Sequence, residues 1–138
     1  LKLTNFAGQT VPPYAILSHR WTGEEILFED TIWNEFDKTS AGWRKIEFCA
    51  KQAALDGLKY FWCDTCCIDK WNKAEVARTI NSMFDYSRDA AKCYVYLQCD
   101  QTRSVETTEQ SAVFNEEQLR QNEWFKRGWT LQESLLPA

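Results

Sequence analysis

Three short runs of apolar, aromatic and β-branched residues, at 14–18, 58–63 and 91–97, are separated by stretches each long enough to hold a helix, and this spacing most constrains the fold. Strands joined by tight turns pair antiparallel, whereas strands separated by a helical crossover pair parallel. Between the first two runs Trp43, Ile46, Cys49, Ala50, Ala53 and Ala54 largely follow helical spacing, and Asp56-Gly57 supplies a stop, so the pattern predicts a helix over 43–55. Between the second and third, Val76, Ala77, Ile80, Met83 and Phe84 repeat that pattern. Glu75 lies in the first turn, where a carboxylate suits the helix dipole, and the predicted helix covers 74–89. Residues 22–42, punctuated by Thr39-Ser40-Ala41-Gly42, read as a connection with a short helical turn. Trp124, Phe125, Trp129, Leu131 and Leu135 mark a last helix. The alternation implies right-handed crossovers and an α/β fold, a parallel sheet with helices on both faces.

A chain of 138 residues, 44% hydrophobic and 14% aromatic, has the material for one core and the length of one domain. Sixteen Lys and Arg against 20 Asp and Glu give a net charge of −4, without the basic excess that neutralises a phosphate backbone, so nucleic acid is not an expected partner. No apolar stretch approaches the roughly 18 residues of a membrane span, and residues 1–8 lack a signal-peptide layout. The expected location is the cytoplasm. Residues 100–123 carry Arg103 and Arg120 against Asp100, Glu106, Glu109, Glu116, Glu117 and Glu123, so the charge excess belongs to this polar, acidic excursion. The rest is neutral by count, and a local cation such as Arg20 remains able to receive an anion. The chain begins at Leu1 and is expected to be a single domain, 1–138, taken from a larger multidomain protein.

In open parallel sheets, ligands bind beyond the carboxyl ends of the strands. That edge would gather Ser18, His19, Arg20 and Trp21 with Asp64–Asp69 and residues 98–100. The lone histidine, His19, is either a structural hydrogen-bonding group or a ligand contact. A Ser18–His19 catalytic pair is disfavoured, because adjacent residues leaving a strand point to opposite sides. Asp64 and Asp69 fit local turns, or one of them contacts a ligand hydroxyl. The six cysteines, Cys49, Cys63, Cys66, Cys67, Cys93 and Cys99, accompany a rich core and read as buried, reduced thiols. Cys63-Asp-Thr-Cys66-Cys67, taken with Cys93 and His19, could be imagined as a zinc or redox site, but it lacks the second ligand pair of a zinc module and does not open a helix as a thioredoxin-like motif does, so no metal ligand is assigned. Trp129 and Glu133, four residues apart, would share one helix face, where the carboxylate can meet ribose hydroxyls or an oxocarbenium-like centre and the indole can stack. No glycine-rich phosphate loop is present in the sequence.

Taken in order, Pro13-Tyr-Ala-Ile-Leu-Ser-His-Arg-Trp21, Tyr60-Phe-Trp-Cys-Asp-Thr-Cys-Cys-Ile-Asp-Lys70, Glu75 with Ile80-Asn-Ser-Met83, Ala90-Ala-Lys-Cys-Tyr-Val-Tyr-Leu97 and Trp124-Phe-Lys-Arg-Gly-Trp-Thr-Leu-Gln-Glu133 resemble the successive motifs of the fungal heterokaryon-incompatibility (HET) domain. The resemblance implies a module that triggers programmed cell death when incompatible hyphae fuse, a nonself-recognition role akin to innate immunity. HET domains in turn resemble Toll/interleukin-1 receptor (TIR) domains, which implies a flavodoxin-like, five-stranded parallel sheet and, for some members, hydrolysis of NAD. Residues 16–20 resemble the TIR first-strand motif, with His19 where tyrosine is common and Arg20 at the basic position. Trp129-x-x-x-Glu133 resembles the helix bearing the catalytic glutamate. The implied activity is an NAD glycohydrolase that releases nicotinamide, with NAD as substrate and no cofactor. Glu133 is the implied catalytic residue, and Ser18, His19, Arg20, Trp21, Asp64, Asp69 and Trp129 are the expected contacts. The alternative is a non-catalytic module that acts by self-association or by assembling with partner signalling domains.

Overall fold

The structure, a computed structural model, describes residues 1–97. Strand β1, Tyr14–His19, is followed by helices α1, Phe28–Trp33, and α2, Ala41–Leu55, then by β2, Tyr60–Trp62, helix α3, Lys73–Asp89, and β3, Lys92–Tyr96. The three strands form one parallel sheet in the order β2-β1-β3. This is the α/β architecture that the spacing of the apolar runs requires. The last helix over 124–135, the acidic excursion 100–123 and residues 98–100 of the ligand edge lie outside the described residues.

The order follows from burial. Ala15, Ile16, Leu17, Ser18 and His19 of β1 are all buried. Side chains alternate along a strand, so β1 is covered on both faces and belongs in the centre. Ala15 and Leu17 join Ile46, Cys49 and Ala53 of α2 in the core, together with Ile26, Cys63, Cys66 and Tyr94. The pairings Ile16↔Trp62 on one side and His19↔Tyr96 on the other fix the register that later brings His19 to the residues following β2.

Local chemistry sets the helix limits. Ser40 caps α2 by accepting the Trp43 N–H, and Asn72 caps α3 by accepting the Glu75 N–H. The end of α2 is a Schellman arrangement: Gly57 N–H bonds the Ala54 carbonyl, Leu58 N–H bonds the Ala53 carbonyl, and Gly57 sits at φ +73°. The short helical turn expected within 22–42 is α1, opened by Asp30 accepting the Leu27 N–H and ended by Asn34 at φ 54°. Gly42 is required for packing: a Cβ there would lie 2.1 Å from the Glu24 carbonyl oxygen. The first turn of α2 thereby lies directly against the loop leaving β1.

The reading of the cysteines needs one correction. Cys49, Cys63 and Cys66 are buried free thiols and Cys67 is half-buried, but Cys93 is exposed. It lies on β3 one position before buried Tyr94, and strand alternation turns it away from the core.

Candidate functional site

At the carboxyl ends of β1 and β2 a polar cluster is built into the core. Alternation along β1 points His19 to the same face as Ala15 and Leu17, and its side chain is 1% exposed. Its Nε2 lies 3.0 Å from Asp64 Oδ1 and 3.4 Å from Cys63 Sγ. The other ring nitrogen, Nδ1, lies 3.4 Å from Lys45 Nζ and 3.8 Å from Glu25 Oε2. Lys45 donates to the Arg20 carbonyl at 2.7 Å and forms a short ion pair with Glu25. Both partners are buried, with side chains 2% and 6% exposed. Glu25 in turn accepts the Thr22 N–H at 2.7 Å, which folds the loop after β1 back over the cluster.

The outer edge is more open. Trp21 Nε1–H donates to Asp64 Oδ2 at 2.9 Å, and Lys70 Nζ lies 4.7 Å from the centre of the Trp21 ring, a cation–π contact. The same ammonium bonds the Asp64 carbonyl. Arg20 and Trp21 are exposed.

These contacts shift the ionisation of the cluster. Burial works against a charged His19, but its hydrogen bonds with Asp64 and Cys63 and their negative charge outweigh that and raise its pKa to about 9. The hydrogen bond from Cys66 is the main cause that draws Cys63 well below the usual thiol range; it outweighs burial and is reinforced by His19. Cys66, as the donor, moves well above that range. Asp64 is opposed by burial and still falls below the usual carboxylate range because His19, Trp21 and Lys70 stabilise its charge. Cys63 and Asp64 are thus both shifted toward their anionic forms, and His19 toward its cation, in one desolvated place. Cys63 has no exposed surface, so its sulfur is a binding or structural group and not a nucleophile for a substrate arriving from solvent.

Of the residues expected at this edge, His19 and Asp64 are brought into contact, Trp21 bonds Asp64, and Arg20 joins through its carbonyl. Ser18 is buried on the opposite face of β1, as alternation requires. Asp69 sits in a local turn in which its Oδ1 accepts the Trp71 N–H at 3.0 Å. Trp129 and Glu133 lie outside the described residues. The sequence points to neither Lys45 nor Glu25 by name, and it sets His19 beside the Cys63–Cys67 segment only as an imaginable zinc or redox set with Cys93, which is exposed. Lys45 did carry a signal, for it falls on the apolar stripe of α2 with Gly42, Ile46, Cys49 and Ala53, where a cation needs a buried partner. None of the described helices is long and apolar enough to cross a membrane.

Comparison with known proteins meets this geometry from another direction. No solved structure matches the chain. Among curated proteins, the vegetative incompatibility protein HET-E-1 of Podospora anserina is 47% identical over 133 residues, covering 93% of this chain. The chain corresponds to only 9% of that relative's length. The family described as Heterokaryon incompatibility protein (HET) matches residues 14–118, a span that contains the sheet, both long helices and the whole His19–Asp64–Lys45 cluster. The chain belongs to the HET family.

Proposed function

We propose that this chain is the death-inducing module of a heterokaryon-incompatibility protein and that it acts by cleaving NAD. The incompatibility role rests on its 47% identity to HET-E-1, a protein named for vegetative incompatibility. The chemical reading is supported by one observation: Arg20 and Trp21 are presented at the carboxyl end of the central strand, above a braced His19–Asp64 pair. Arg20 would hold the pyrophosphate and Trp21 would offer a ring to stack on, while buried His19 and Asp64 fix the Trp21 indole. Glu133, carried over from the TIR resemblance, would stabilise the ribose cation.

In the reaction the bond between ribose C1′ and the nicotinamide nitrogen breaks, and its electron pair neutralises the pyridinium. Water then adds to C1′ and gives up a proton, leaving ADP-ribose. A carboxylate set where positive charge develops lowers that barrier. Incubation of the protein with NAD should release nicotinamide, detected by chromatography, and Glu133→Gln should lower the rate about 100-fold or more. The same substitution should abolish growth arrest when the chain is expressed in a filamentous fungus. Equal nicotinamide release by both proteins would overturn the assignment.

A second reading, action by self-assembly, is favoured by apolar side chains left in solvent. Leu55 is 81% exposed, Trp33 73% and Trp71 84%. Concentration-dependent oligomers that arrest growth without consuming NAD would favour assembly. The two readings are compatible where assembly completes the enzyme site.

A further inference from the structure

Beneath the Trp21 indole, three donors of different chemistry converge from two segments far apart in sequence. His19 Nε2 is 3.0 Å from Asp64 Oδ1 and 3.4 Å from Cys63 Sγ, and the three ligand atoms all lie within 4.8 Å of one another. We propose that His19, Cys63 and Asp64 bind a zinc-class divalent ion, with water completing its coordination. A tetrahedral zinc holding nitrogen, sulfur and oxygen at about 2.0–2.3 Å separates its ligands by about 3.3–3.8 Å, so the two His19 contacts need spread by only a few tenths of an ångström, while Cys63 Sγ and the Asp64 carboxylate, within 4.8 Å of each other, would draw together to that range. A mixed thiolate, imidazole and carboxylate set suits zinc or cobalt, whereas magnesium and calcium take oxygen ligands.

Each ligand also has an outer partner, as oriented metal ligands do. Trp21 Nε1–H holds Asp64 Oδ2 at 2.9 Å and leaves Oδ1 for the ion. Thr65 Oγ1 lies 3.1 Å from Cys63 Sγ. His19 Nδ1 lies 3.4 Å from Lys45 Nζ and 3.8 Å from Glu25 Oε2, the buried ion pair that flanks the ring. The cation nearest the ring, Lys45, is paired with Glu25, and Lys70 bonds the Asp64 carbonyl rather than its carboxylate. One thiolate and one carboxylate match the two positive charges of the ion. On binding, the proton that His19 Nε2 shares with its two neighbours leaves to solvent. The set differs from a C-x-x-C site in its ligands: Cys66 bonds the Cys63 sulfur as a neighbour and the histidine arrives from another strand.

The site goes beyond the NAD reading and is tested without NAD. The whole chain, reduced and stripped with a chelator, is titrated with cobalt(II) and then zinc(II) against a chromophoric competitor. One equivalent of cobalt should bind with intense tetrahedral d–d absorption and a thiolate-to-cobalt charge-transfer band, both removed by zinc. Cys63→Ser should abolish the charge-transfer band. Asp64→Asn should weaken binding at least ten-fold, Trp21→Phe about ten-fold, and Cys93→Ser not at all. If Cys63→Ser does not fold, the Asp64 and Trp21 variants decide. No stoichiometric uptake, a charge-transfer band that survives in folded Cys63→Ser, or unchanged affinity in Asp64→Asn would each overturn the proposal.

Discussion

Replacing Lys45 by methionine tests whether the buried ion pair holds the loop after β1 to helix α2. Methionine keeps an unbranched stem of similar length, so packing along α2 is largely conserved while the charge is lost. Glu25 would then remain as a buried carboxylate, 6% exposed, without Lys45 and with only the more distant His19 ring, at 3.8 Å, on its charge. The Arg20 carbonyl would also lose a donor now at 2.7 Å. Removing one member of a buried pair costs about 3–5 kcal/mol, because the survivor stays desolvated and uncompensated. Against a total of about 5–15 kcal/mol for a domain, that is a large share. At about 3 °C per kcal/mol for a chain of this size, the midpoint of thermal unfolding should fall by about 10 °C or more.

The double variant makes this specific. Glu25→Gln alone strands the Lys45 ammonium in the same pocket and should cost a similar amount. The glutamine keeps an oxygen for the Thr22 N–H that Glu25 now accepts at 2.7 Å. Combining the two substitutions removes both charges, so the loss should be close to that of one single variant, with a coupling of about 3 kcal/mol. Urea unfolding followed by circular dichroism at neutral pH measures all four proteins. A Lys45→Met loss under about 1 kcal/mol, or losses that simply add, would show that the pair does not organise this region.

Other expectations follow from the same contacts. Gly42→Ala, which in an open helix position would stabilise by about 1 kcal/mol, should here destabilise by about 1–3 kcal/mol, because its Cβ meets the backbone of Glu24, Glu25 and Ile26 at 2.1–2.8 Å; a raised melting temperature would contradict the packing of α2 on the loop. Arg20→Ala should raise the KM for NAD about ten-fold with kcat little changed, since a pyrophosphate contact serves ground and transition states alike, and a kcat-only loss would count against that role. The Tyr94 hydroxyl bonds Asp56 at 2.5 Å and holds that carboxyl below its usual range. The resulting stabilisation is present above the ordinary carboxylate pKa and lost as pH falls through the depressed folded value, so Tyr94→Phe should flatten the acid limb of a stability–pH profile, and an unchanged limb would exclude the link.

The distribution of what was legible in the sequence has a physical reason. Periodicity is local, so the apolar stripe of α2, the Gly57 stop and the three strands could be read within a few residues of each position. Lys45 could be read in part, because a cation on an apolar stripe demands a partner, but the partner could not be named. Glu25 is one of several acids between 24 and 37, and only the fold of the loop selects it. The meeting of His19 with Cys63 and Asp64 depends on register, which no local pattern encodes for parallel strands joined through helices. The pairing Ile16↔Trp62 sets the residues after β2 beside the end of β1, and side-chain alternation then turns His19 inward. A shift of His19 by one position along β1 would carry it to the opposite face and present Ser18 to Asp64 instead. The candidate site is therefore a property of strand register more than of any motif, and its chemistry depends on the same pairing that holds the sheet together.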